Sequence, residues 1–80
     1  MEFNLTILPN EFTENKLNVL SLVSLSIEVK DEYGIVVERI ETTPSEKEYK
    51  LATELGTNMR VEVHLIPGQE VEFYPVVTAL

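Results

Sequence analysis

Eighty residues with fourteen acidic and six basic side chains carry a net charge of −8. That excludes a multidomain enzyme and argues against direct binding to nucleic acid or to an anionic membrane. The chain has no cysteine, so disulfides, thiolate nucleophiles and cysteine-held metals are excluded as well. Apolar residues make up 44% and charged residues 25% of the chain, a globular balance rather than a disordered one. One small domain, residues 1–80, is expected.

Phe3 to Leu8 reads as a strand, because Phe3, Leu5 and Ile7 alternate with Asn4 and Thr6. Pro9-Asn10 ends it, and Asn10 to Lys16 is a polar loop around Phe12. Leu17 to Lys30 is the longest apolar signal. From Val23 onward Val23, Leu25, Ile27 and Val29 point one way, and Ser24, Ser26, Glu28 and Lys30 the other. Before that, Leu20 and Leu22 hold the opposite parity. The phase flip between Leu22 and Val23 predicts a β-bulge or sharp bend, or else a first half buried on both faces. Asp31 to Gly34 is a turn, with Gly34 free to take a positive φ. Ile35 to Glu41 is the return strand. Its Ile35-Val36-Val37 start is apolar on both faces, which predicts a central position.

Ser45 to Leu55 reads as a short helix. Ser45 and Glu48 have capping-box spacing, Tyr49, Leu51, Ala52 and Leu55 supply an apolar face, and Gly56 closes it. The alternation of Tyr49 with Leu51 also admits a strand. Asn58 to Ile66 is a strand with Met59, Val61, Val63 and Leu65 on one face and Arg60, Glu62 and His64 on the other. Pro67-Gly68-Gln69 turns it into a last strand, Val71 to Ala79. That hairpin would set Phe73 opposite Val63, Val71 opposite Leu65 and His64 opposite Glu72. Pro75 lacks an N–H, so the last strand belongs at an edge or is bulged. The order predicts a mainly β (α+β) fold. Two plans fit: a small five-stranded, partly open barrel, of which the OB-fold is a known plan, or a twisted antiparallel sheet. Either has one short helix between strands 3 and 4.

No motif names a reaction. His64 is the sole histidine, and no serine sits in a glycine elbow beside it, so a Ser-His nucleophile is not expected. The acids fall on polar faces, turns and the predicted helix, which predicts no buried carboxylate for acid–base work. Asp31-Glu32 beside Gly34 lacks the alternating aspartates of a calcium loop. No cofactor, metal or catalytic residue is expected. The six basic residues are scattered and form no groove for single-stranded nucleic acid.

Strand edges remain. Phe3 to Leu8 and Val71 to Ala79 are the edge candidates, and an exposed edge is a template for another chain. The apolar run Val76-Val77-Thr78-Ala79-Leu80 adds to the second. The reading is a non-enzymatic protein–protein interaction or assembly domain, pairing with another protein or with itself as a homo-oligomer. Its contact residues would be Tyr74, Val76, Val77 and Leu80. The alternative is an acidic inhibitor or decoy, of the kind some viruses encode, that mimics nucleic acid toward a nucleic-acid-handling protein. Its contacts would be Glu28, Asp31, Glu32, Glu38 and Glu41, close together around one hairpin. Met1-Glu2-Phe3-Asn4 lacks the basic start of a signal peptide. The run from Leu17 to Ile27 is too short, and too broken by serines, to span a membrane. A cytoplasmic location is therefore expected.

Overall fold

A computed structural model describes residues 2–80. Seven strands lie among them: β1 (Asn4–Ile7), β2 (Lys16–Ser21), β3 (Leu25–Lys30), β4 (Val36–Glu41), β5 (Ser45–Lys50), β6 (Arg60–Leu65) and β7 (Val76–Ala79). One 3-10 turn, Pro9–Glu11, is the only helical segment among the described residues. Among the described residues no helix is long and apolar enough to cross a membrane. The strands form two antiparallel sheets, ordered β1-β6-β3-β4 and β5-β2-β7. The fold is mainly β as expected, but in place of a five-stranded barrel or a single twisted sheet with one helix it has two open sheets facing each other over a shared core.

The core is built from the period-two rows of the strands. Ile7 of β1, Leu17 and Val19 of β2, Leu25, Ile27 and Val29 of β3, and Val61 and Val63 of β6 are buried together with Leu51. Each such side chain contributes on the order of 2 kcal/mol by leaving water. The alternation expected for Val23–Val29 and for Met59–Leu65 is the one observed.

The phase flip at Leu22/Val23 marks a crossing between sheets. The expected single long strand is two: β2 in one sheet and β3 in the other. Ser21 is buried, and its hydroxyl donates to the Val23 carbonyl at 2.7 Å and accepts the Val23 N–H at 3.2 Å. This local ring turns the chain and satisfies the buried Ser21 hydroxyl. The inward row of β2 is therefore Leu17, Val19 and Ser21, whereas Leu20 and Leu22 point outward. The chain crosses back at Thr42, which is also buried. Its hydroxyl accepts the Leu25 N–H at 2.9 Å and its own N–H donates to the Leu25 carbonyl at 2.8 Å.

Three expectations are corrected. Ser45 to Leu55 is not a helix: Ser45–Lys50 is a strand whose residues pair one for one with β2, from Lys16↔Lys50 to Ser21↔Ser45. A helix of about ten residues is marginal without packing, and here the edge of β2 offers a full ladder instead. The Tyr49 and Leu51 alternation carried the right signal. Lys47 lies on the same row and sets its ammonium 5.3 Å from the Tyr49 ring centroid, so a charged residue there stays wet at the rim.

Val36–Glu41 is not central. It ends its sheet, and Ile35, Val36 and Val37 are exposed. Finally, β6 does not pair with the segment that follows it. It lies between β1 and β3, while residues 67–75 cross to the other sheet, where β7 pairs with β2. Pro75 is buried just ahead of β7, which fits a residue that cannot donate to a ladder.

The Asp31–Gly34 turn forms as expected. Asp31 Oδ1 accepts the N–H groups of Tyr33 and Ile35, both at 2.9 Å. Gly34 has φ +80°, a conformation that strains any side chain.

Candidate protein-interaction surface

The two strands expected at edges, β1 and β7, both end their sheets, as do β4 and β5. Their side chains differ sharply. β4 carries Glu38, Arg39 and Glu41, and β5 carries Glu46, Lys47, Glu48 and Lys50. Charged edges resist pairing with a further strand. β1 reads NLTI and β7 reads VVTA, with no charge on either. At the start of β1, the Phe3 ring packs against Tyr74 with centroids 6.5 Å apart.

The alternation of hydrogen bonds fixes which groups β7 leaves open. Leu80 exchanges bonds with Lys16: its N–H donates at 2.9 Å and its carbonyl accepts at 3.4 Å. Counting back along the register, Thr78 and Val76 face β2 at Asn18 and Leu20. Val77 and Ala79 therefore turn their N–H and C=O groups away from β2, toward the free edge.

An apolar patch adjoins that edge. Leu20 is 44% exposed, Leu22 72%, Phe73 69%, Tyr74 64% and Val76 56%. Leu20 lies directly opposite Val76 on the outer face of the sheet. Leu20, Ser21, Leu22, Phe73, Tyr74 and Val76 line one shallow groove. It continues through Leu22 and Phe73 into a second groove, rimmed by Glu70 and Glu72. The patch stands out on a chain this acidic, because its exposed side chains are apolar and adjacent.

Of the expected contact residues, Tyr74 and Val76 belong to this patch. Val77 points inward against the core. Leu80 is half-buried and extends the ladder with Lys16. Sequence reasoning missed Leu20, Leu22 and Phe73. The opposite parity of Leu20 and Leu22 reads as a bulge or a doubly buried half of one long strand, and Phe73 as part of a hairpin that does not form. The available signal was the parity of Leu17 and Val19, which puts Leu20 and Leu22 on the opposite face.

The carboxylates expected to form an acidic surface are partly used internally. Contrary to the expectation of no buried acid, Glu28 is buried on the outer face of β3, its side chain only 8% exposed. The cause is a sheet neighbour on each side. Arg39 Nη2 of β4 lies 2.5 Å from Oε2, and His64 Nε2 of β6 lies 2.9 Å from Oε1. The Arg39 bond, with help from His64, outweighs burial and holds the Glu28 carboxyl below its usual range. His64 thus pairs with Glu28, not with Glu72.

Glu38 lies on the inner row of β4, opposite Val29. Burial would raise its carboxyl, but the N–H groups of Ala52 and Thr53, each at 2.9 Å, outweigh burial and hold it low. Asp31 is spent on its turn, whereas Glu32 and Glu41 are exposed. Beside Glu28, Glu62 bridges Lys30 at 2.7 Å and Arg60 at 2.6 Å, and those partners hold its carboxyl low too.

No protein-family model, curated protein or solved structure matches this chain.

Proposed function

We propose that this protein is a non-enzymatic interaction domain that docks a partner on the β7 edge and the apolar patch beside it. The observation that carries the reading is the juxtaposition at β7. Open backbone groups at Val77 and Ala79 lie next to exposed Leu20, Leu22, Phe73, Tyr74 and Val76, and β7 itself carries no charge. A partner strand would gain main-chain bonds from the edge and side-chain burial from the patch. The acidic hairpin is the weaker surface, because Glu28, Asp31 and Glu38 already accept bonds within the protein.

Site-specific photo-crosslinking tests the reading. A photoreactive residue replacing Tyr74 should form one discrete adduct in cells, and the same residue replacing Glu48, on the charged edge β5, should not. Equal labelling at both positions, or none at Tyr74, overturns it.

A further inference from the structure

We infer that the occupant of the β7 edge is a second copy of this chain, paired about a two-fold axis at Thr78. This rests on the proposed role of that edge and adds the partner and the register. Antiparallel pairing of two identical edges is isologous, so one patch serves both copies. With the axis at Thr78, Val77 meets Ala79 of the second copy, and Ala79 meets its Val77. Each pair exchanges both N–H···O=C bonds, so the open groups of both strands are satisfied. Moving the axis to Val77 would set Ala79 opposite Pro75 of the second copy, which has no N–H to give. Slipping the register by one residue, with the axis between Val77 and Thr78, would bring outward and inward side chains face to face.

Charge placement favours the same occupant. On the outer face the seam is lined by Val76, Thr78 and Leu80, opposite Leu20, Asn18 and Lys16 of β2. The acids of this sheet face, Glu46 and Glu48, lie one strand further out on β5. Across the seam Val76 would lie beside Leu80 of the second copy, continuing the Leu20–Val76 apolar row into the neighbouring molecule. Two chains of charge −8 repel at long range, and this seam brings them together where they carry no acid. Salt therefore strengthens the pair by screening the repulsion. A basic partner held by the acids would instead dissociate as salt rises. The seam is four residues long, so the interface falls at the small end of specific interfaces and the pair is a weak, concentration-dependent one.

A single cysteine reads the register directly, since the protein has none of its own. In this pairing Thr78 and Thr78 of the second copy form the non-hydrogen-bonded pair at the axis, with Cα atoms about 4.5 Å apart, within disulfide reach. Thr78→Cys should oxidise to a covalent dimer at least about tenfold faster than Glu48→Cys, because the seam raises the effective thiol concentration. Sedimentation of the unmodified protein should show a shift from monomer toward dimer as protein or salt concentration rises. Equal oxidation rates for the two variants, or a monomer at every concentration and salt, overturn the second copy as occupant. An adduct at Tyr74 with a mass other than two chains would also overturn it while leaving the docking role of the edge standing.

Discussion

Replacing Glu28 by Gln removes one negative charge from a buried position without changing its volume. Glu28 receives bonds from Arg39 Nε at 3.0 Å and Nη2 at 2.5 Å, and is 2.9 Å from His64 Nε2. A hydrogen bond to a charged group is worth about 1.5–3 kcal/mol. The Arg39 side chain is 58% exposed, however, so solvent screens much of that pair. The expected loss is about 1.5 kcal/mol near neutral pH, or a fall in Tm of roughly 6–12 °C for a domain of this size. The pH dependence is the sharper test. The folded state holds the carboxyl below its ordinary value of 4.5, so its contribution is complete above that pH. It is lost as pH falls below 4.5 through the depressed value. Gln does not titrate, so the gap between wild type and Glu28→Gln should be full at neutral pH and close in acid. Calorimetric melts of both proteins at about pH 7 and about pH 3.5 measure it. A gap that stays constant with pH would refute the assignment of Glu28 as an ionised, paired group.

Glu38→Ala should release the segment after β5, because its carboxylate accepts the Ala52 and Thr53 N–H groups. A loss of about 1–3 kcal/mol by urea titration is expected, with faster amide exchange at those two residues as its local signature. Leu17→Ala, in the core at 0% exposure, should lose about 3 kcal/mol in the same titration, whereas Leu22→Ala on the patch should leave the midpoint within about 0.5 kcal/mol. Gly34→Ala places a Cβ only in ordinary contact, 3.5 Å from Arg60 Nη2. The positive φ alone should therefore lower stability by about 1 kcal/mol.

The parts of the fold legible in the sequence were those ruled by local periodicity. Val61 and Val63 alternate with Glu62 and His64 and lie where that alternation puts them. Asp31 and Gly34 make their turn from their own backbone preferences. What was not legible depended on partners far along the chain. The phase flip at Leu22 signalled a break, but no local property distinguishes a bulge from a crossing between sheets. The Ser21 and Thr42 hydroxyls that serve the two crossings look like ordinary polar residues. Ser45 and Glu48 have helix-cap spacing, and only the presence of the β2 edge makes Ser45–Lys50 a strand. Phe73 was drawn into the core by a three-residue loop that suits a hairpin, whereas the chain uses residues 67–75 to change sheets and leaves Phe73 exposed. Glu28 was hidden for a similar reason: its burial comes from Arg39 and His64 on two neighbouring strands. At the candidate surface, Tyr74 and Val76 were within reach of sequence reasoning, because an uncharged apolar run beside Pro75 already marks an edge.

The most direct test of the β7 surface is the solution mass of the protein by light scattering behind a sizing column, at low and moderate salt and over a range of concentrations. The β7 seam predicts a mass that climbs from one chain toward two with concentration, climbs further with salt, and returns to one chain in Val76→Asp, whose circular dichroism should be unchanged. A mass that stays at one chain throughout, or an oligomer that Val76→Asp leaves intact, would contradict it.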